Sequence, residues 1–213
     1  MRIISLLLIS ILFPSFAVAA PHLMVGDAIP PMYGFDTEGK KHLLTAFEGR
    51  PIILEWTSPL CPYSSSRYTS GSMQQSQTLA KEMGAVWVSV YSSAMDSPDY
   101  LDQTAISSLA KERQSKAQYH FLDSKGWLGR GFSARTTPYI VIINAAGRIV
   151  YTGAPDSNPT AEIEETASRY ADDALAQLAK HQSITKPVTR AFGCAIHYAP
   201  LGEPLEIPNW VQR

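Results

Sequence analysis

Two cysteines stand in this chain of 213 residues, Cys61 and Cys194, and the neighbours of each bear on thiol chemistry. Cys61 is followed directly by Pro62. Proline is favoured as the first residue of a helix, because its missing N–H would have no partner there anyway. A cysteine just ahead of such a helix faces unpaired backbone N–H groups and the positive end of the helix dipole. Both stabilise a thiolate over a thiol. The alternative, from position alone, is an inert buried cysteine, since free cysteine is among the most buried side chains. Glu55 lies six residues earlier, inside the apolar run Ile52-Ile53-Leu54-Glu55-Trp56. If buried, its carboxyl has a raised pKa and suits proton transfer; strand alternation alone would turn it to solvent. Cys194 follows Gly193, 133 positions beyond Cys61. A bridge between the two would contribute up to about 5 kcal/mol by chain-entropy reckoning, so a structural staple competes with a redox pair.

These residues need elements to position them. Residues 51–56 (PIILEW) form a short apolar run that predicts a buried strand ending just before Cys61. The segment after Cys61 is convincingly helical only over 73–83, and 85–91 (AVWVSVY) predicts a second strand. Strand, helix and strand then make a parallel unit. A helix is expected from Pro98-Asp99 to about residue 118, a strand over 119–122 and a short helix over 125–132. Residues 139–143 and 148–151 flank Asn144-Ala145-Ala146-Gly147 as a hairpin, and Asp36-Thr37-Glu38-Gly39 reads as an earlier hairpin turn. Residues 162–180 are amphipathic at helical spacing, with Ile163, Ala167, Tyr170, Ala174 and Leu178 aligned. Beyond His181 the tail has no clear period.

Composition narrows the classes. With 18 Lys+Arg against 19 Asp+Glu and 45% hydrophobic residues, the chain is too apolar for disorder. A net charge of −1 gives no drive toward nucleic acid or acidic membranes. Two cysteines are too few for a disulfide-dense scaffold or a four-cysteine zinc site. Arg2, the apolar stretch from Ile3 to Phe16 and the exit Ala17-Val18-Ala19 have the form of a secretory signal peptide cut after Ala19. The stretch is shorter than the ~18 residues a membrane span needs, and Pro14 interrupts it. The expected organisation is a leader over 1–19, one domain over 20–181 and a tail over 182–213. The expected place is an exported, oxidising compartment, the bacterial periplasm, with no stable membrane insertion after cleavage.

The order strand, Cys61-Pro62, helix, then Thr136-Thr137-Pro138 leading into an apolar strand resembles the thioredoxin-like superfamily. The resemblance implies an α/β fold: a central mixed sheet flanked by helices, with an N-terminal β-hairpin and an extended C-terminal tail. It implies a cis bond before Pro138 and the Thr137 backbone beside Cys61, so that Pro62, Thr137 and Pro138 dock a substrate. It also makes Glu55 a proton relay. Within that superfamily the chain is similar to the redoxin-type branch related to the alkyl hydroperoxide reductase/thiol-specific antioxidant group. A subset of that branch pairs a Glu-Trp strand end and Cys-Pro-Phe-Val with a distal Gly-Cys-Ser-Ile-Lys-Tyr. Here the counterparts are Glu55-Trp56, Cys61-Pro62-Tyr63-Ser64 and Gly193-Cys194-Ala195-Ile196-His197-Tyr198, with His197 in place of lysine.

The activity so implied is thiol-disulfide exchange. Cys61 is the attacking thiolate and Cys194 the resolving partner, because Ser64 stands where a local second cysteine would be. The partners implied are a thiol or disulfide protein or a small-molecule thiol reductant, with no nucleic acid, no cofactor and no metal. Two alternatives stay open. A peroxidase of peroxiredoxin type would use Ser58 on the peroxide, although Leu54 replaces the expected proline and Arg135 is an imperfect substitute for the expected arginine. A non-enzymatic module would use the Cys61–Cys194 bridge as a staple. Copper(I) binding by Cys61, Cys194 and His197 is less favoured, since the copper-delivery pattern needs a cysteine where Ser65 stands.

Overall fold

The structure is a computed structural model that describes residues 22–200. The leader expected over 1–19 lies outside the described residues. Near the N-terminus, β1 (Tyr33–Phe35) and β2 (Lys41–Leu43) form the first hairpin. Asp36 makes its turn by accepting hydrogen bonds from the backbone N–H of Glu38 and of Lys40, both 2.9 Å. Gly39 supplies the positive φ of +77° that the turn requires.

A single 3-10 turn (Leu44–Phe47) leads to β3 (Ile52–Trp56), then α1 (Pro62–Thr69), α2 (Ser72–Glu82) and β4 (Val86–Tyr91). The chain continues through α3 (Gln103–Glu112), β5 (Tyr119–Leu122), α4 (Trp127–Gly131), β6 (Thr136–Thr137), β7 (Tyr139–Ile143) and β8 (Ile149–Gly153). It closes with α5 (Tyr170–Ala179) and β9 (Cys194–Ala195). Seven strands build one sheet in the order β2-β1-β5-β4-β3-β7-β8, and β6 with β9 makes a separate two-stranded ladder. β3 lies inside the sheet, parallel to β4 and antiparallel to β7. The sheet is therefore mixed, as expected.

All five residues of β3 are buried, so its two faces feed two cores. Leu54 and Trp56 pack with Val88, Val90, Phe121 and Val141 on one face. Ile53 packs on the other with Trp87, Ile140 and Ile142, beneath Tyr68 and Met73 of the first two helices and Ala171, Ala174 and Leu175 of α5. Strand alternation puts Glu55 on this second face, under helix rather than toward water. No helix among the described residues is long and apolar enough to cross a membrane.

Several expected boundaries move, each for a local reason. The serine-rich stretch after Cys61 is helix from Pro62 onward, with a break at Ser70 and Gly71 where Gly71 takes φ +77°. The helix expected from Pro98-Asp99 begins instead at Gln103, capped by Asp102, whose Oδ1 accepts the Ala105 N–H at 2.8 Å. It ends at Glu112, and Gln114 adopts φ +49°. The amphipathic stretch 162–180 is helix only over Tyr170–Ala179. Its first part is held in turns: Asn158 Nδ2 donates to the Glu162 carbonyl at 2.6 Å, and Thr160 Oγ1 accepts the Glu162 N–H at 3.3 Å. Such side chains offer the backbone partners that compete with helix. Ile163, expected on the buried face, is exposed.

The tail is laid against the domain along its whole described length. Thr152 of β8 donates its N–H to the Pro187 carbonyl and accepts the Thr189 N–H, at 2.9 and 3.0 Å. The chain then passes beside α1, where the Arg67 guanidinium lies over the Phe192 ring.

Candidate functional site

Cys61 occupies the N-cap position of α1, in extended conformation, with Pro62 as the first helical residue. Its side chain is almost wholly buried, at 1% exposure. The Thr137–Pro138 peptide bond is cis, and Cys61 Sγ donates to the Thr137 carbonyl oxygen at 2.9 Å. The proline turn therefore delivers a backbone acceptor to the sulfur at the helix start. Pro138 is buried behind it, while Pro62 is exposed.

Cys194 arrives from the opposite side. In the β6–β9 ladder Thr137 lies opposite Cys194 and Thr136 opposite Ala195, and the next bond is from Ile196 N–H to the Arg135 carbonyl at 3.0 Å. Gly193 makes this approach possible. A Cβ on it would sit 2.0 Å from the Thr137 carbonyl oxygen, and its φ is +135°. Any other residue would push the strand away from the same oxygen that Cys61 uses.

The two thiols are free and within hydrogen-bonding reach of one another. Burial pushes the Cys61 thiol up. The nearby Cys194 and Thr137 side chains and the backbone N–H groups of Ser64 and Cys194 outweigh it, so the net shift is downward. Cys194 moves the other way: burial, its bond to Cys61 and the charge of a Cys61 thiolate push it up to about 12. One sulfur is disposed to carry the charge and the other the proton, and their titrations belong to the pair.

Glu55 is fully buried under α1 and α2. Its carboxylate accepts from the Tyr68 hydroxyl at 2.9 Å, Trp87 Nε1 at 2.8 Å, Ser89 Oγ at 3.1 Å and Gln77 Nε2 at 3.2 Å. Burial is the largest influence and raises its pKa despite those donors. None of these hydrogen bonds leads to Cys61; Tyr68 connects the carboxylate to the helix that Cys61 caps. The Ser58 hydroxyl donates to Asp99 Oδ2 at 3.1 Å. Arg135 is exposed and contributes its backbone carbonyl to the tail.

Solved structures with this arrangement of elements exist, although no protein-family model and no curated protein matches the chain. A secreted Mycobacterium tuberculosis disulfide oxidoreductase aligns with a TM-score of 0.51 at 17% identity, over 70% of this chain and 96% of that one. A putative protein disulfide isomerase from Bacteroides thetaiotaomicron aligns with a TM-score of 0.53 at 14% identity, over 74% and 91%. The fold is thioredoxin-like. An uncharacterized conserved protein from Geobacillus kaustophilus shares this thioredoxin-like arrangement over more of its length. It gives a TM-score of 0.74 at 18% identity, covering 88% of this chain and 99% of that one.

Sequence reasoning missed an acceptor hub on the tail side of this site. Asp99 is buried and accepts from Ser58, from Ser93 Oγ at 2.7 Å and from Ser97, and it faces His197 Nδ1 at 3.4 Å. Burial raises its pKa, but the bonds from the three serines and His197 hold it below the usual carboxylate range. Pro98-Asp99 has the form of a helix start, which masked this role. A carboxylate amid Ser92, Ser93 and Ser97 was the available signal. His197 is thereby occupied by a carboxylate, and no cluster of three or more metal-ligating side chains occurs among the described residues.

Proposed function

We propose that this chain is an exported thiol-disulfide redox protein of the redoxin type, with Cys61 as nucleophile and Cys194 as its resolving partner. The observation that carries the reading is the asymmetric setting of two free cysteines: Cys61 caps α1 beside the cis Thr137–Pro138 turn, and Cys194 sits on the short strand paired with Thr137. A structural staple gains nothing from such asymmetry, whereas exchange needs a thiolate to attack and a low-pKa sulfur to leave. The thioredoxin-like fold and its likeness to a secreted disulfide oxidoreductase support the same reading.

The Cys61 thiolate attacks one sulfur of a partner disulfide, and the other partner sulfur leaves as a thiolate. Cys194 then gives up its proton and attacks Cys61 Sγ. The mixed disulfide breaks, the second partner thiolate leaves, and a Cys61–Cys194 bond remains. Two electrons pass from the protein dithiol to the partner disulfide, and the two cysteine protons end on the two partner thiols. Pro62, Thr137 and Pro138 shape the pocket for the attacked sulfur. Glu55, whose burial raises its proton affinity, is assigned to proton exchange beneath α1. Ser58 has its proton committed to Asp99, which favours disulfide over peroxide as the oxidant.

The test is the reduction potential of the Cys61–Cys194 couple, read by mass spectrometry after equilibration in glutathione buffers. Exchange-active couples lie between about −120 and −270 mV, and structural disulfides lie below about −300 mV. A value in the first range is expected. A bond that stays closed throughout the buffer series leaves only the staple.

A further inference from the structure

We infer that residues 193–199 are a built-in occupant of the substrate edge of this site, and that the external disulfide it accepts is a small molecule rather than a disulfide in an extended polypeptide. The inference rests on the redox reading above and specifies its substrate class.

The edge in question is β6. The Thr137 carbonyl faces Cys61 Sγ, so a strand laid on this side of β6 presents its side chains to the nucleophile. That side is taken: Thr137 and Thr136 are paired with Cys194 and Ala195, and Gly193 lies against the Thr137 carbonyl with no room for a side chain. Cys194 stands where an incoming cysteine of a peptide would stand. A polypeptide adding itself as a strand needs the backbone groups of an open edge. Here β9 already uses them.

The occupant is also fastened beyond the ladder. The Ala94 N–H donates to the His197 carbonyl at 2.8 Å, and the Tyr198 hydroxyl donates to the Ala134 carbonyl at 2.7 Å. The Tyr198 ring fills the space over Gly126 and Gly129, where any Cβ would collide with it. Arg130 lies over the same ring, 4.6 Å from its centre, and donates from Nη2 to the Ala199 carbonyl at 2.5 Å. A polypeptide must strip off this clamp before its sulfur reaches Cys61. A small disulfide needs only a local shift of the Cys194 side chain, which is half-buried.

The experiment compares two symmetric disulfides as oxidants of the reduced full chain: oxidised glutathione, and the disulfide dimer of a ten-residue unstructured peptide. Formation of the Cys61–Cys194 bond is followed by quenched-flow mass spectrometry. Glutathione disulfide is expected to react at least ten-fold faster. In Tyr198→Ala the ratio should fall below three-fold, because the peptide rate rises. Arg130→Gln, which removes the cation over the Tyr198 ring and the bond to the Ala199 carbonyl, should move it in the same direction and covers a Tyr198→Ala chain that does not fold. A peptide rate equal to the glutathione rate in the unaltered chain overturns the inference. So does a ratio that both variants leave unchanged, since mere bulk of the peptide would act alike in all three. If neither disulfide oxidises the protein, the redox reading itself falls.

Discussion

Cys61 and Cys194 carry the same side chain and are held from opposite directions. Cys61 belongs to the interior: it caps a helix whose Tyr68 is bonded to the buried Glu55, and its sulfur donates to the Thr137 carbonyl. Cys194 belongs to a tail strand two residues long, pinned by backbone bonds and one tyrosine ring laid on the surface. The first is fixed by burial, the second by attachment. The difference teaches how one chain can hold two sulfurs in contrasting settings, which on the proposed function suit a nucleophile and its partner. A thiolate at a helix start gains from fixed N–H groups that cost no reorganisation at reaction. A resolving thiol is useful if it is near but able to leave, which a short clamped strand allows and a core element does not.

The largest effect that can break this comparison is at Cys61, the proposed nucleophile. Cys61→Ser should abolish exchange, lowering the oxidation rate at Cys194 by 1000-fold or more. If Cys194 alone kept the activity, the assigned roles would be reversed. Next is the anchor beneath α1. Glu55→Leu leaves the Trp87, Ser89, Gln77 and Tyr68 groups without their acceptor, and a loss of about 3 kcal/mol is expected from denaturant unfolding. Gly193→Ala acts on the tail side alone. With the added Cβ colliding with the Thr137 carbonyl, formation of the internal disulfide should slow by about ten- to a hundred-fold, corresponding to roughly 1–3 kcal/mol of backbone strain. Global stability should fall far less than in Glu55→Leu.

A smaller effect sharpens the electrostatic coupling. Thiolate absorbance should rise in two steps with pH, the first below the ordinary thiol value and the second near pH 12. Since the attacking species is the thiolate, the exchange rate should climb with pH through the first step. Cys194→Ala removes a donor to Cys61, so the first step should move to higher pH. A first step that stays in place would show that helix α1 alone sets it. The smallest effect is at His197, whose side chain is 62% exposed where it meets Asp99. His197→Ala should cost less than about 1 kcal/mol, because exposed pairs are screened by solvent. Tail docking, read by protease resistance of the tail, should survive it.

Much of the frame was legible because it is periodic or punctuated. Residues 52–56, 86–91 and 139–143 are runs of buried strand, and Asp36 with Gly39 spells its own turn. Other parts were read too simply. Residues 162–169 carry an apolar spacing fit for helix, yet Asn158 and Thr160 bind the backbone there, and Arg67 takes the Thr160 carbonyl at 2.8 Å. Such competition is decided by a guanidinium from another element, which no window of local sequence contains. Asp99 was hidden in the same way: Ser93 and Ser97 are nearby in sequence, but Ser58 lies 41 positions earlier and His197 comes from the tail.

The sequence by itself determined the local chemistry. Cys61-Pro62 sets a sulfur at a helix start, Pro138 permits the cis turn, and an apolar strand carrying Glu55 commits that carboxyl to the interior wherever both strand faces are covered. These follow from bonded neighbours and from periods of two and 3.6 residues. Only the tertiary structure decided that the second cysteine lies beside the first, that a glycine must precede it, and that the tail fills the β6 edge next to Cys61. A tail without period carries no local record of where it will lie. Its place is set by backbone groups of β6 and β8 and by the hollow over Gly126 and Gly129, which exist only after the sheet and α4 have formed.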